Sequence, residues 1–243
     1  EAADWAAGQV PLVAGGPGQL DFFRLIAGAQ GAMGIATWAS VKCEPISQAS
    51  TLLVIAADRL EDLVPCAYEL VKIRFGDELF LVNAEALALL VEDDPARRAS
   101  LVAALPAWML VVGIGGGSIA GELKLAGREA DVREMAARHG LDVRDSLPGL
   151  AGADLLARLQ APSPEPYWRD RPDTGTDEVY FLTTLDRAQG FIDAVEAASA
   201  ALPDPVRGIG VYLQPIHQGA GLHCELILPY GAPGIAVSDG DRT

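Results

Sequence analysis

Basic side chains are scarce in this sequence of 243 residues: 18 Lys and Arg stand against 33 Asp and Glu, a formal net charge of −15. Nucleic-acid-binding proteins gain affinity through clusters of Lys and Arg on phosphates, and the sequence has no such cluster. We therefore expect no nucleic-acid partner. Because half of the residues are hydrophobic and only 21% are charged, the composition also excludes an intrinsically disordered chain.

Cysteine is rare as well. Cys43, Cys66 and Cys224 lie far apart and are odd in number, whereas a disulfide scaffold or a zinc ribbon needs close pairs. This pattern favours a reducing, cytoplasmic setting. The first residues contain neither the basic segment nor the apolar segment of a signal peptide, so none is expected.

Long membrane-type hydrophobic segments are also missing. One uncharged run, residues 101–121, is as long as the ~20 residues that a membrane-spanning helix needs. Pro106 interrupts this run and glycines crowd its second half, each at a cost of about 1 kcal/mol in a helix. The run instead predicts a buried strand at 108–112 followed by a glycine turn, and no membrane span.

Short strands and amphipathic helices alternate from Thr51 onwards. The patterns predict strands at 52–55, 78–82, 178–184, 208–214 and 223–229, and helices at 60–73, 84–91, 128–138 and 187–200. Residues 92–98 predict an exposed connection, and the Pro-rich stretch 161–176 an irregular one. An Asp-Arg dipeptide at 58–59 recurs at 186–187, each time between a strand and a helix. We therefore predict an α+β fold: one mainly antiparallel sheet with two ferredoxin-like βαβ halves and helices on one face.

Three glycines spaced by three residues stand out near the N-terminus. Gly28, Gly31 and Gly34 lie between an apolar, helix-like stretch and a strand-like one. Glycine lets the backbone approach a ligand closely and offers its N–H groups to anionic oxygens. A plain turn that packs a helix against a strand has the same pattern, so spacing alone leaves both interpretations open.

The segment around these glycines, FRLIAGAQGAMGIAT at 23–37, resembles the G-S-E-G-T-L-G-I-[VI]-T segment of the vanillyl-alcohol oxidase and p-cresol methylhydroxylase superfamily of FAD-linked oxidoreductases. The matching positions are Gly28, Gly31, Gly34, Ile35 and Thr37. In that superfamily the backbone of the segment lies along the cofactor. The resemblance implies FAD as cofactor, contacted by the backbone of Gly28, Gly31, Gly34 and Ile35. The side chains that depart from the family pattern, and whose contacts are not carried over, are Ala29, Gln30 and Ala32.

The resemblance also divides the chain into two parts. It implies that residues 1–47 are the C-terminal tail of a FAD-binding domain, and that residues 48–243 form the cap or substrate domain, incomplete at its C-terminus. In this superfamily an earlier glycine-rich loop holds the FAD pyrophosphate, and no residue before Glu1 supplies it. We therefore expect the chain to be the C-terminal part of a larger enzyme, or one subunit of a split enzyme.

Two of the three histidines flank a glycine-containing turn in the segment YLQPIHQGAGLHCE at 212–225. His217, His223 and Glu225 are residues of the types used in acid–base sites and in metal sites, although a hairpin with solvated histidines has the same pattern. The segment is similar in position to the H-x-G-D-G-N-L-H motif of FAD-linked 2-hydroxyacid dehydrogenases, which lies by the flavin and substrate. The histidine spacing is one residue shorter here and Ala220 replaces the Asp, so we expect no metal. The resemblance implies His223, Glu225 and His217 as catalytic candidates.

Two other patterns are predicted to carry no chemistry. The run VGIGGGS at 112–118 lacks the final glycine of the G-x-G-x-x-G dinucleotide motif and is predicted to be a loop. Cys224 adjoins His223, but adjacent residues of a strand point to opposite faces of the sheet. These two side chains are therefore not expected to form a nucleophile and base pair.

Two functions follow as hypotheses. In the first, the chain is the C-terminal part of a FAD-dependent oxidoreductase that oxidises a small alcohol, a 2-hydroxy acid or a phenol by hydride transfer to flavin, and is inactive alone. Its partners are then a small-molecule substrate and the N-terminal FAD-binding half or a companion subunit, with a homo-oligomer left open. In the alternative, the chain is a non-catalytic ferredoxin-like module for ligand binding or oligomerisation.

Overall fold

The computed structural model divides the chain into two units, Glu1–Glu44 and Pro45–Thr243. Only residues 29, 31–40 and 43 of the first unit are described. The strands and helices below belong to the second unit. The residues that the structure describes are 29, 31–40, 43, 45–161, 176–202, 206, 208–216, 219 and 221–229.

The second unit contains the predicted strands and helices in the predicted order, together with two helices and three short strands that the hydrophobic patterns did not predict. Its strands are β1 (Ser50–Ala57), β2 (Glu78–Asn83), β3 (Trp108–Gly115), β4 (Val143–Arg144), β5 (Ser146–Leu147), β6 (Leu150–Ala151), β7 (Thr176–Thr183), β8 (Gly210–Ile216) and β9 (Gly221–Pro229). Its α-helices are α1 (Leu60–Lys72), α2 (Ala84–Val91), α3 (Pro95–Ala104), α4 (Gly121–Arg138), α5 (Gly152–Gln160) and α6 (Ala188–Ala200), and a 3₁₀ turn at Leu185–Arg187 precedes α6.

Seven strands form one sheet in the order β4-β1-β3-β2-β8-β9-β7, and every neighbouring pair is antiparallel. The elements β1, α1, β2, β3, α4 and β4 make a ferredoxin-like half with strand order β4-β1-β3-β2. The elements β7, α6, β8 and β9 repeat its first three strands as β7-β9-β8. The predicted antiparallel α+β fold with two ferredoxin-like halves is therefore confirmed, and each Asp-Arg dipeptide lies just before the first helix of a half.

Helices cover both faces of the first half of the sheet, not one face as expected. Leu53 and Ile55 of β1 belong to a core cluster that also contains residues of α1, α4 and α6. Leu52 and Val54 belong to a second cluster, on the opposite face, with residues of α2, α3 and α5. Consecutive residues of β1 are apolar, and such a strand is stable in a sheet that is covered on both faces. In the second half α6 packs on one face, and the opposite face carries the polar residues considered below.

A buried asparagine joins the two halves where β2 pairs with β8. The Asn83 Nδ2 donates to the carbonyl oxygen of Ile209 at 2.8 Å. Its Oδ1 accepts from the backbone N–H of Ala86 at 3.0 Å and of Val211 at 2.8 Å. One side chain thus caps α2 and fixes the start of β8, which places Tyr212 opposite Val82.

The glycine run predicted as a loop instead continues β3 as far as Gly115. Gly113 pairs with Glu78 across β2 and β3, and a Cβ on Gly113 would lie 2.9 Å from the Glu78 Cβ. Glycine therefore permits a strand approach that a larger residue would obstruct. Gly116, which follows the last residue of β3, lies against the backbone of Gly121. Helix α4 begins at Gly121, seven residues before the predicted start at Arg128.

Residues 95–104 form α3 where the charged sequence predicted an exposed connection. The Asp94 carboxylate caps this helix by accepting from the backbone N–H of Arg97 at 2.8 Å, and Pro95 occupies its first turn. The run 101–121, which mimics a membrane span in length, is divided among α3, β3 and α4. Over the part of the chain that the structure describes, none of the helices combines the length and apolarity needed to cross a membrane.

Candidate functional site

The side chains of strand β9 alternate between the two faces of the sheet, and the candidate site residues lie on one of them. Leu222, Cys224 and Leu226 belong to the core beneath α6, and His223 and Glu225 alternate with them, so their side chains point to the opposite face. The expectation that His223 and Cys224 face apart is therefore confirmed.

Neighbouring strands add further side chains beside this pair. In the sheet, His223 pairs with Leu182 of β7 and with Gln214 of β8. Glu225 pairs with Tyr180 of β7 and with Tyr212 of β8. Because directly paired residues of antiparallel strands share a face, these four side chains surround the His-Glu pair. No motif in the sequence marks these four residues as functional. Only the pairing register brings β7 and β8 beside β9.

His223 and Glu225 are in direct contact. The His223 Nε2 lies 3.2 Å from the Glu225 Oε2. The glutamate side chain is 6% exposed and the histidine side chain 29% exposed. When the neutral imidazole donates its Nε2–H to Glu225, Nδ1 is the nitrogen that accepts a hydrogen bond. This arrangement is suited to accepting a proton from a hydroxyl group.

Aromatic rings continue from this pair across four strands. Tyr180 of β7 stacks with His223 at a centroid distance of 6.1 Å. Tyr212 of β8 meets the same imidazole edge-on at 6.4 Å, and Phe80 of β2 lies 5.3 Å from Tyr212. The Tyr180 end of this aromatic row is 68% exposed. The row therefore offers an open surface on which a planar ring can lie.

A cavity of about 480 Å³ opens between the aromatic row and the helices α2 and α5. This volume lies within the range of small-molecule sites. Its polar lining residues are Gln214, His223 and Glu225. Apolar side chains that line it include Phe80, Val82, Leu90, Leu159, Leu182 and Ile216. The His-Glu pair is thus placed in a mostly apolar cavity of substrate size.

Cys224 does not contribute to this site. Its side chain is buried in the core on the other face of β9. Burial, with a smaller contribution from the Glu225 charge, raises the pKa of the Cys224 thiol to about 11. The thiol is therefore protonated at neutral pH and does not serve as a nucleophile.

The remaining candidates stay predictions. His217 and Gly28 lie outside the described residues. Gly31 and Gly34 adopt positive φ values of 82° and 137° in the first unit, beside the exposed Ile35. Among the described residues there is no group of three or more His, Cys, Asp or Glu side chains placed to hold a metal ion.

Comparison with solved structures finds a similar fold in two crystal forms of alkyldihydroxyacetonephosphate synthase. The P1 form matches with a TM-score of 0.56 at 15% identity, over 93% of this chain and 44% of that chain. The P2₁2₁2₁ form matches with a TM-score of 0.58 at 13% identity, over 88% and 42%. At these identities the likeness shows the fold, and the chain spans less than half the length of either structure. No protein-family model and no curated protein matches the sequence.

Proposed function

We propose that this chain is the C-terminal part of a FAD-dependent oxidoreductase, made of the tail of a FAD-binding domain and the cap domain that follows it. Three observations support the proposal. The glycine segment carries the family pattern at Gly28, Gly31 and Gly34. The fold is in keeping with the FAD-linked oxidase superfamily. The similar solved structures are more than twice as long as this chain, which leaves room for a FAD-binding half.

The observation that carries the proposal is the His223–Glu225 pair in an apolar cavity on an open sheet face. A substrate hydroxyl within hydrogen-bond reach of the imidazole loses its proton to His223. Glu225 orients the ring and stabilises the imidazolium. The apolar walls exclude water and hold the carbon skeleton of the substrate. Flavin, when bound, supplies the hydride acceptor, and the protein supplies position and charge.

The residues present fit a planar cofactor and a partner domain. The open face of β7, β8 and β9 presents Tyr180 and His223 as a surface for a flat ring. In the first unit the apolar side chains of Met33, Ile35 and Trp38 are exposed. We expect the missing part of the FAD-binding domain to cover them, because a segment with several exposed large apolar residues marks a contact surface.

The proposal that the reaction is an oxidation is supported by the glycine motif and by the residues of the site. The similar solved structures are named as a synthase, so the fold does not select oxidation over another reaction. The substrate alcohol, hydroxy acid or phenol is likewise part of the proposal. The alternative function, a non-catalytic ferredoxin-like module, is favoured by the doubled ferredoxin-like topology and predicts a protein without flavin.

A matched pair of histidine variants tests the catalytic role. His223→Ala in the complete enzyme is expected to lower the rate of flavin reduction by about 10²- to 10⁴-fold, the usual contribution of a positioned acid or base. His139→Ala is the control, because His139 also contacts a glutamate, Glu69, at 2.9 Å and is 27% exposed, but does not line the cavity. It should retain the wild-type rate.

Melting temperatures of both variants separate chemistry from folding. His223→Ala removes the ring contacts with Tyr180 and Tyr212 and the contact with Glu225, but His223 is 29% exposed, so we expect the melting temperature to fall by several degrees while the protein stays folded. Full activity of His223→Ala, or its unfolding, would show that the histidine is structural. Equal losses in the two variants would show that the effect is not specific to this site.

A further inference from the structure

The two ferredoxin-like halves differ at their outer edges. In the first half α4 and β4 follow β3, and β4 pairs with the outer edge of β1. Strand β7 has the place of β1 in the second half and lies at the end of the sheet. Within the described residues, the second half has no counterpart of α4 or β4 after β9.

Helix α4 closes the core of the first half. It packs against α1, β1 and β3, and its apolar residues belong to the same core cluster as Leu53 of β1 and Leu63 of α1. Both leucine side chains are 0% exposed. On this face of the first half, the residues of the first strand and the first helix are thus completely covered.

The corresponding position in the second half is exposed. Phe191 is the fourth residue of α6, as Leu63 is the fourth residue of α1, and both helices are 13 residues long. Phe191 is nevertheless 43% exposed. An aromatic side chain therefore stands partly in solvent where its counterpart in the first half is buried.

Strand β7 adds two apolar side chains to this exposed surface. Val179 and Phe181 pair with Leu226 and Cys224 of β9, which belong to the core beneath α6, so all four lie on the α6 face of the sheet. Val179 is 44% exposed, and the ring centroids of Phe181 and Phe191 are 4.7 Å apart. Val179, Phe181 and Phe191 together form the β7–α6 patch.

The edge of the sheet beside this patch is long. Strand β7 has eight residues, whereas β4 at the opposite edge has two. A long edge strand with exposed apolar side chains favours pairing with a further strand, and folded proteins usually cover such an edge. A second copy of this chain is a poor occupant, because each copy carries a net charge of −15 and like charges oppose association. A segment tethered to the same polypeptide has a high effective concentration instead.

We propose that the β7–α6 patch and the outer edge of β7 bind an amphipathic helix followed by an antiparallel strand, supplied by the segment after β9 in the complete protein. The proposal rests on the proposed function only in that this chain is part of a longer protein. The model for the segment is residues 116–144, which carry α4 and β4 in about 30 residues. The helix would lie beside α6 and bury Phe191, as α4 lies beside α1. On the opposite face, the strand would border Tyr180 and Leu182 and so extend the wall of the candidate site.

Thiol labelling of two matched cysteine variants tests this proposal. The background variant is Cys43→Ser, because Cys43 is exposed, whereas Cys66 and Cys224 are buried. Phe191→Cys or Leu202→Cys is added to this background, and the rate of reaction with a maleimide is measured. The two buried native thiols stay unlabelled as long as the core is folded, so they report folding in the same experiment.

Leu202 is the control because it resembles Phe191 in exposure but not in its counterpart. It lies two residues after α6 and is 50% exposed. Its counterpart two residues after α1 is Arg74, which is exposed, so the repeat predicts no cover for it. In the complete protein we expect Phe191→Cys to react at least about tenfold more slowly than Leu202→Cys. Equal rates would overturn the proposal.

The 243-residue chain provides the second comparison. It contains residues 230–243 after β9, about half of the required length, so the two thiols are expected to react at similar rates. Slow reaction of Phe191→Cys in this chain would show that its own residues supply the cover, and would overturn the proposal. If the buried thiols react there, the chain has unfolded and the complete protein alone decides.

Hydrogen exchange on the complete protein without substitutions gives an independent measurement. Alternate backbone N–H groups of β7 point away from β9, and pairing with a further strand should slow their exchange at least about a hundredfold relative to an unstructured peptide. Exchange of these groups at the unstructured rate would overturn the proposal. Protection that disappears on dilution would show that a second copy is the occupant, and would overturn it as well.

These results are separable from the proposed function. The visible spectrum of the same protein reports whether it contains flavin, independently of labelling and exchange. A flavoprotein with a reactive Phe191→Cys would retain the proposed function and lose this docking surface. A protein without flavin in which Phe191→Cys is protected would retain the docking surface and lose the proposed reaction.

Discussion

Replacing Asn83 with alanine should destabilise the fold more than the loss of an ordinary helix cap. The side chain makes three hydrogen bonds, to Ala86, Ile209 and Val211. The bond to Ala86 is an N-cap, typically worth about 1 kcal/mol, and each of the other two contributes about 0.5–1.5 kcal/mol. Together the three hydrogen bonds contribute about 2–4 kcal/mol to the free energy of unfolding. Because the variant removes the acceptor of the buried N–H of Val211, we expect a loss near the upper end of this range.

Asp94 offers a matched control for this prediction. It caps the adjacent helix α3 through a single exposed hydrogen bond to Arg97, so Asp94→Ala should cost about 1 kcal/mol. Urea unfolding of the 243-residue chain, followed by circular dichroism, gives both free energies. The reasoning is refuted if Asn83→Ala is no more destabilising than Asp94→Ala, since the bonds across the β2–β8 junction would then contribute nothing.

Three further predictions concern packing, ionisation and cofactor binding. Gly113→Ala should lower the free energy of unfolding by about 1–3 kcal/mol, because the new Cβ would meet Glu78. Gly127→Ala, whose Cβ would have no atom within 4 Å, should stabilise α4 by about 0.5–1 kcal/mol. Equal effects of the two variants in urea unfolding would contradict this. Burial raises the pKa of the thiols of Cys66 and Cys224 from 9.0 to about 11, so the unfolded state loses these protons first. Stability should therefore fall between about pH 9 and 11, by at most about 3 kcal/mol per thiol, and the double Cys→Ala variant should lose most of this pH dependence. Finally, the 243-residue chain alone should bind FAD weakly or not at all in a fluorescence titration, and sub-micromolar binding would show that the proposed domain assignment is wrong.

The parts of the fold that the sequence predicts well are those in which local pattern and tertiary packing agree. Helix α2 lies where the hydrophobic pattern predicts a helix, and β1 and β2 lie where apolar runs predict strands. Helix α3 was missed because no residue of it is fully buried, so it lacks a clear apolar stripe. The glycines of β3 predict a loop from local pattern alone, whereas the close approach of Gly113 to Glu78 that favours a strand is a tertiary contact.

The candidate site shows the same division. His223 and Glu225 are candidates on the sequence because two of the three histidines flank a glycine-containing turn and the segment resembles a flavoenzyme motif, and the structure places these two side chains in contact. Tyr180 and Gln214 could not be found from the sequence, because they join the site through the register of β7 and β8 with β9, and register is not readable from composition. The relation of the Gly31 and Gly34 segment to this site stays a prediction.

The most direct test of the central claim is the visible spectrum of the complete protein, purified without added flavin, for the wild type and for His223→Ala and His139→Ala. We predict one flavin per chain in all three proteins and a shift of the flavin absorbance bands in His223→Ala alone, because that imidazole lies on the face proposed to meet the ring. A colourless wild-type protein, or a flavin whose bands respond equally to His139→Ala, would contradict the account.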